Sequence, residues 1–245
     1  LILALVAGAA IGLALGALGG GGSVLAVPAL IYLLDFSAVG ATTASLVIVT
    51  LTSVTAMVAH AREGNVRRRT GLLFAAAGTG PAMVGGVLAD RIPGAVLTAA
   101  FGLVAGAAAV RMLRSRPAAD GAVTIRPGRA AATGAGLGAV TGVLGVGGGF
   151  LAVPALVGVL GMRMRKAVGT SLLVITVNSL AALSMRAGAL EGLDWAVVGP
   201  FVGAAILGAW DGKRLATKVS GHTRQRIFAM VLLAVAAFML IDGLL

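Results

Sequence analysis

The sequence predicts an all-α, polytopic integral membrane protein made of two inverted-topology repeats, and three observations carry that prediction. The first is composition: 59% of residues are hydrophobic, 11% are charged and the mean hydropathy is +1.05. Several uncharged stretches reach the ~20 residues that cross ~30 Å of hydrocarbon. The second is a duplication. GGGGSVLAVPAL at 19–30 returns as GVGGGFLAVPAL at 145–156. The same offset, without a gap, pairs Ala41 with Ala167, Ser45 with Ser171, Leu46 with Leu172 and Thr50 with Thr176. Internal repeats of this kind set the architecture before any local signal does. The third is that loop charge reverses between equivalent positions of the two copies.

The apolar segments run over 1–18, 23–36, 38–60, 71–89 and 93–113, then over 130–146, 150–162, 167–187, 195–210 and 226–245. The first repeat is therefore 1–113 and the second 130–245, joined by 114–129, a linker rich in Arg, Pro and Gly. In each copy the second segment is too short for a full span. It pairs with the first as a Gly/Pro-broken helical pair, and about three full transmembrane helices follow. Trp195 and Trp210 flank one of these helices as interfacial anchors. The chain begins at Leu1 and not at Met, so further residues are expected ahead of it.

Lys and Arg in short loops mark the cytoplasmic side of a membrane protein. Loop 61–70 (Arg62, Arg67, Arg68, Arg69, with Glu63) and the linker region (Arg111, Arg114, Arg116, Arg126, Arg129, with Asp120) are basic. So are the turn 163–166 (Arg163, Arg165, Lys166) and loop 211–226 (Lys213, Arg214, Lys218, Arg224, Arg226). The turn 90–93 is neutral, with Asp90 and Arg91, and loop 186–194 is net acidic, with Arg186, Glu191 and Asp194. Matched by the repeat, Asp35 stands against 163–166, 61–70 against 186–194, and 90–93 against 211–226. The bias reverses at each position, so equivalent elements point in opposite directions. Segment 130–162 must then enter and return on the cytoplasmic side, and 1–36 on the outer side.

The net charge of +11 invites a nucleic-acid reading. The basic residues are dispersed in short loops and the chain has one tyrosine, so no stacking surface accompanies them, and nucleic acid is excluded as a partner. There is no cysteine, which excludes disulfides, and two histidines with no His-Glu-x-x-His leave no metal site. No cofactor is expected, and no nucleotide-binding glycine loop ending in Gly-Lys-Ser/Thr occurs. An intramembrane enzyme would need a nucleophile–base pair, which the sequence does not offer.

Charge is almost missing from the apolar cores, so a substrate site inside the membrane must use neutral groups. Backbone amides at a helix N-terminus form an anion site, and glycine lets a ligand approach the backbone closely. The candidates are Gly20, Gly21, Gly22 and Ser23, with Ser23 placed as an N-cap, and Gly147, Gly148 and Gly149. The matched polar runs add Thr43, Ser45, Thr170, Ser171 and Asn178, whose hydroxyl and amide groups can donate to an oxyanion. Pro28 and Pro154 are the helix-breaking positions. His60, at the inner end of its segment, is the candidate for proton coupling, and His222 sits in a basic loop. The competing reading of the glycines is close helix packing.

The glycine run, small apolar stretch and Pro-x-Leu, followed by an Ala-x-x-x-Ser/Thr-Ser-Leu helix, occur twice: Gly19–Leu30 with Ala41–Leu46, and Gly145–Leu156 with Ala167–Leu172. The chain resembles the TauE/SafE sulfite exporter family over essentially its whole length. It departs from the pattern at Gly22–Ser23, where the second copy has Gly148–Gly149. The resemblance implies a multi-pass permease of the inner (plasma) membrane for a small anionic substrate: sulfite, an organosulfonate or a small carboxylate. The expected function is a secondary transporter that exports a small sulfur-containing oxyanion, such as sulfite or an organosulfonate, by alternating access, with a carrier of small carboxylates as one alternative. A passive anion channel of the same architecture is the other. The partners are the small anion and the lipid bilayer, and a homo-oligomer is left open.

Overall fold

The computed structural model of the chain describes residues 2–89, 92–114, 126–144, 149–185, 188 and 192–242. Within them the chain forms α1 (Ile2–Leu18), α2 (Gly21–Leu34), α3 (Ala38–Arg62), α4 (Arg68–Ala89) and α5 (Gly94–Arg114). The second copy forms α6 (Pro127–Val143), α7 (Gly149–Gly158), α8 (Met164–Met185), α9 (Trp195–Lys218) and α10 (Gly221–Asp242). Each copy is thus a short helical pair followed by three longer helices. By length and apolarity α3, α8, α9 and α10 can each cross a bilayer, over Gly40–Arg62, Met164–Ser184, Trp195–Lys218 and Gly221–Ile241. Residues 115–125 of the expected linker lie outside the described residues.

The helices outrun the apolar segments at their charged ends. The expected loop 211–226 is almost all helix: α9 continues to Lys218 and α10 restarts at Gly221, which puts His222 in an exposed first turn. α8 likewise begins at Met164, before Arg165 and Lys166. Long basic side chains reach water from a helix end, so the helix need not stop where apolarity does. Caps from the residue just ahead of the helix mark three starts: Ser37 Oγ accepts from Gly40 N–H (3.2 Å), Asp194 Oδ1 from Ala196 N–H (3.0 Å) and Ser220 Oγ from Thr223 N–H (3.1 Å).

The repeat is visible in local detail. Asp35 and Gly161, equivalent by the offset, both take left-handed backbone angles (φ 55° and 65°). They close α2 and α7 alike, Phe36 N–H donating to Leu30 C=O (3.0 Å) and Met162 N–H to Leu156 C=O (2.9 Å).

Packing between the copies follows the same rule. α1 lies along α9, running in the same direction: Gly8, Gly12 and Gly16 meet Phe201, Ala205 and Ala209 in turn. α6 lies along α4 in the same way, Gly134, Gly138 and Gly142 meeting Phe74, Gly78 and Ala82. These two glycine triplets are themselves equivalent by the offset. A Cβ on Gly12, Gly16, Gly138 or Gly142 would overlap the neighbouring carbonyl, so the seams are backbone against backbone. The first helix of each copy is therefore held by the fourth helix of the other.

The like helices cross antiparallel. In α3 and α8, Ser53 meets Thr176 while His60, further along α3, meets Gly169, earlier in α8. In α5 and α10, Gly102 faces Leu240 while Met112 C=O accepts from Gln225 Nε2 (2.6 Å). The α1–α2 pair is a hairpin: α1 runs with α9, and α2 returns so that Tyr32 stacks edge-on against Phe238 near the end of α10. The core between these elements includes Leu15, Leu30, Ile48, Leu156, Leu172, Phe201 and Phe228.

Every Lys and Arg among the described residues lies at one end of this bundle, where α3, α5, α7 and α9 finish and α4, α6, α8 and α10 begin. At the opposite end, the charged residues among those described are Asp35, Asp194 and Asp242.

Candidate substrate site

The chain turns back at Gly19. Its φ of 73° is left-handed, and its N–H donates to Leu15 C=O (2.8 Å), closing α1. A Cβ there would stand 2.7 Å from Ser171 Oγ and 3.3 Å from the side chains of Val153 and Val168. The glycine break of the first copy thus rests on α7 and α8 of the second, beside one of the predicted polar residues. Gly20 is buried and caps α2, which starts at Gly21.

This corrects the place of Ser23. It is the third residue of α2 and not its N-cap, because the left-handed Gly19 completes the turn early and lets the helix resume at Gly21. The first amides of α2, on Gly21, Gly22 and Ser23, still lack intrahelical acceptors, as at any helix start. The prolines are also displaced from their expected role. Pro28 and Pro154 lie inside α2 and α7, and the break of the first copy falls at Gly19 and Gly20. Each proline cannot donate to the carbonyl four residues back, which weakens its helix without ending it. In the second copy, Gly149 opens α7 and is buried. Gly147 and Gly148 lie outside the described residues.

The predicted hydroxyls divide. Thr170 Oγ1 accepts from Arg67 N–H (3.1 Å), so this threonine caps the start of α4 in the other copy. Ser171 Oγ donates to Val168 C=O and Ser45 Oγ to Thr42 C=O, both at 2.8 Å. Thr43 is buried in α3. By the antiparallel register of α3 on α8, Ser45 and Ser171 stand about 20 Å apart along the helix axis, at opposite thirds of the crossing. Asn178 Oδ1 is buried, with no hydrogen-bond partner among the described residues.

In the middle of the crossing, the matched Thr50 and Thr176 stand level with two serines that sequence reasoning passed over, Ser179 and Ser53. Ser53 Oγ and Thr176 Oγ1 share a 3.0 Å hydrogen bond. Under the repeat, Ser53 matches Ser179 and Thr176 matches Thr50, so Thr50–Ser179 is the equivalent pair, level with each other in the same register. That pair is not made: Ser179 Oγ turns to Ile175 C=O, and Thr50 Oγ1, 3% exposed, has no partner among the described residues. The signal was present. The match of Ser45–Leu46 with Ser171–Leu172 continues through Thr50/Thr176 and Thr52/Asn178 to Ser53/Ser179.

His60 is 3% exposed. Its Nε2 lies 3.2 Å from Gly16 C=O, three residues before the break, and its Nδ1 has no partner among the described residues. Beside it, Lys213 of α9 pairs with Glu63 (2.7 Å) and donates to Ala59 C=O (2.7 Å). The hydrogen bond from Lys213 holds the Glu63 carboxyl below the usual carboxylate range. This ion pair ties the end of α3 to α9 across the two copies.

Comparison with known proteins follows the same lines. The family model described as "Sulfite exporter TauE/SafE" matches residues 4–239. Two relatives from Xylella fastidiosa, of strains 9a5c and Temecula1 / ATCC 700964, each bear the name "Probable membrane transporter protein". Each is 34% identical, over 252 and 251 residues respectively, with 98% of this chain and 95% of the relative covered. No solved structure matches the chain significantly.

Proposed function

The chain belongs to the TauE/SafE sulfite exporter family and is a multi-pass membrane transporter, and from that premise we propose that it is a secondary carrier exporting a small sulfur-containing oxyanion such as sulfite or an organosulfonate. The observation that carries this reading is the close approach of the Gly19 turn to Ser171. The start of α2, two residues on, leaves its first amides without intrahelical acceptors, and Ser171, whose hydroxyl donates to Val168 C=O in this state, becomes a second neutral donor once it turns from its own helix toward an anion.

The two copies act as inverted repeats working by alternating access. Support comes from the antiparallel crossings of α3 on α8 and α5 on α10. In such a pair each copy adopts in one state the arrangement that the other adopts in the opposite state. The made Ser53–Thr176 pair and the unmade Thr50–Ser179 pair would then exchange as the carrier turns over. His60 is the proton-coupling group, since protonation at its ring acts directly on the carbonyl of Gly16 at the foot of the break. The basic end of the bundle is cytoplasmic and draws anions to it before export.

The test is flux of labelled sulfite into proteoliposomes, with and without imposed pH and voltage gradients. Saturable, pH-driven flux that falls in Ser171→Ala and loses its pH response in His60→Gln is the expected result. Flux without saturation would replace the carrier by a channel, and absence of sulfite flux alongside transport of a small carboxylate would replace the substrate.

A further inference from the structure

One cavity opens between α3, α4 and α8 at the basic end of the bundle. It has a volume of about 390 Å³. Its wall is apolar, with Met57, Val58, Leu72 and Leu173, and its rim carries Arg62 and Arg68. Val58 and Leu72 are 42% and 51% exposed. Val58 lies within the apolar span Gly40–Arg62, one turn from its basic end.

Arg62 and Arg68 are both exposed, and neither has a hydrogen bond or ion pair among the described residues. The nearest carboxylate in sequence is already engaged: Glu63 gives Oε1 to Lys213 and accepts at Oε2 from Asn65 Nδ2 (3.1 Å). Two guanidiniums without a counter-charge thus sit over an apolar groove at the edge of the span. A phosphodiester between two fatty chains and water has the matching pattern. Basic pockets between membrane helices take anionic head groups, and guanidinium forks bind phosphate oxygens in pairs.

We propose that this groove is a binding site for an anionic phospholipid, its phosphodiester on Arg62 and Arg68 and an acyl chain along Met57, Val58, Leu72 and Leu173. The site is independent of the transported substrate.

Native mass spectrometry of the purified full chain in neutral detergent tests it, with phosphatidylglycerol and phosphatidylcholine of identical acyl chains. Wild type should retain phosphatidylglycerol over phosphatidylcholine by about thirtyfold, the effect of two arginines at a membrane surface. The Arg62→Ala/Arg68→Ala double variant should bind both lipids alike. Lys218→Ala/Arg226→Ala removes the same charge from exposed positions at the same end and should keep the preference. Leu72→Trp fills the groove and should lower phosphatidylglycerol retention with both arginines intact. Equal binding of the two lipids by wild type, an equal loss in the control pair, or unchanged retention in Leu72→Trp overturns the proposal. So does displacement of phosphatidylglycerol by inorganic phosphate or sulfite at equal concentration, which would make the groove an anion vestibule.

Discussion

Along the glycine seams the two copies are interchangeable. Gly8, Gly12 and Gly16 sit on α9 as Gly134, Gly138 and Gly142 sit on α4. At the crossing of α3 on α8 they are not: Ser53 reaches Thr176, while Thr50 is left without its equivalent bond to Ser179. The two regions differ in what their contacts permit. A seam of backbone against backbone has one arrangement, because no rotamer exists to change. A hydroxyl pair is looser: Ser53 and Thr176 each also reach a carbonyl of their own helix, Thr50 and Leu172, so the bond between them can be made or left unmade without stranding either side chain. Symmetry is kept where backbones are in contact and relaxed where the contact is between hydroxyls.

The hardest way to break this comparison is to put bulk into the seams. Gly12→Leu and Gly138→Leu should each cost about 3 kcal/mol or more, since the overlap is with carbonyls that cannot step aside. Both variants should lose the folded peak in size-exclusion chromatography. Tolerance in one copy alone would show that the seams are not equivalent.

Lys213→Met removes an inter-copy ion pair that has no equivalent, since Glu63 and Lys213 match Ala189 and Val87 under the offset. A loss of about 1 kcal/mol is expected at neutral pH. Lys213 depresses the Glu63 carboxyl, so the contribution is complete above the usual carboxylate range. It disappears as pH falls through the depressed value. Melting curves in detergent should therefore differ most between wild type and variant at about pH 7, the gap narrowing well below about pH 4 to what the Lys213–Ala59 hydrogen bond leaves. A constant gap at all pH values would refute the ion pair.

Ser53→Ala should destabilise by about 0.6 kcal/mol, the scale of an interhelical hydrogen bond in a membrane protein. Ser179→Ala, at the equivalent position, should be close to neutral in thermal unfolding. Equal losses would mean that the asymmetry of the crossing is not real. The smallest effect is expected of Thr50→Val, which deletes a buried hydroxyl without a partner and should raise stability by about 0.5 kcal/mol.

How much of this was legible in the sequence depends on whether the cause was local. The order and number of helices followed from apolar length, and the two copies from the exact return of Leu25–Leu30 as Leu151–Leu156. The hairpin of α1 and α2 followed from segment length and loop charge. The helix ends did not: apolarity stops at about 210 while α9 continues to Lys218, because a helix needs hydrogen bonds and not oil. Nor did Ser23, whose position in α2 depends on the backbone angle of Gly19. Packing was weighed against a site for the glycine runs at 19–22 and 145–149, not for the triplets, and only the partners on α4 and α9 reveal that Gly8, Gly12, Gly16 and their equivalents are packing. Ser53 and Ser179 were overlooked although the repeat reaches them, because a lone serine carries no signal until its level on the opposite helix is known.

The interlocked seams also have a consequence for how the chain is made. Helices leave the ribosome in order. When α6 emerges, α4 is already in the membrane, and Gly134 can dock on Phe74 at once. α1 has no such luck: its glycine face must wait, bare in the lipid, until Phe201, Ala205 and Ala209 of α9 have been synthesised. Assembly is therefore lopsided in time even though the finished seams are alike, and a nascent chain stopped before α9 holds an unmatched first helix.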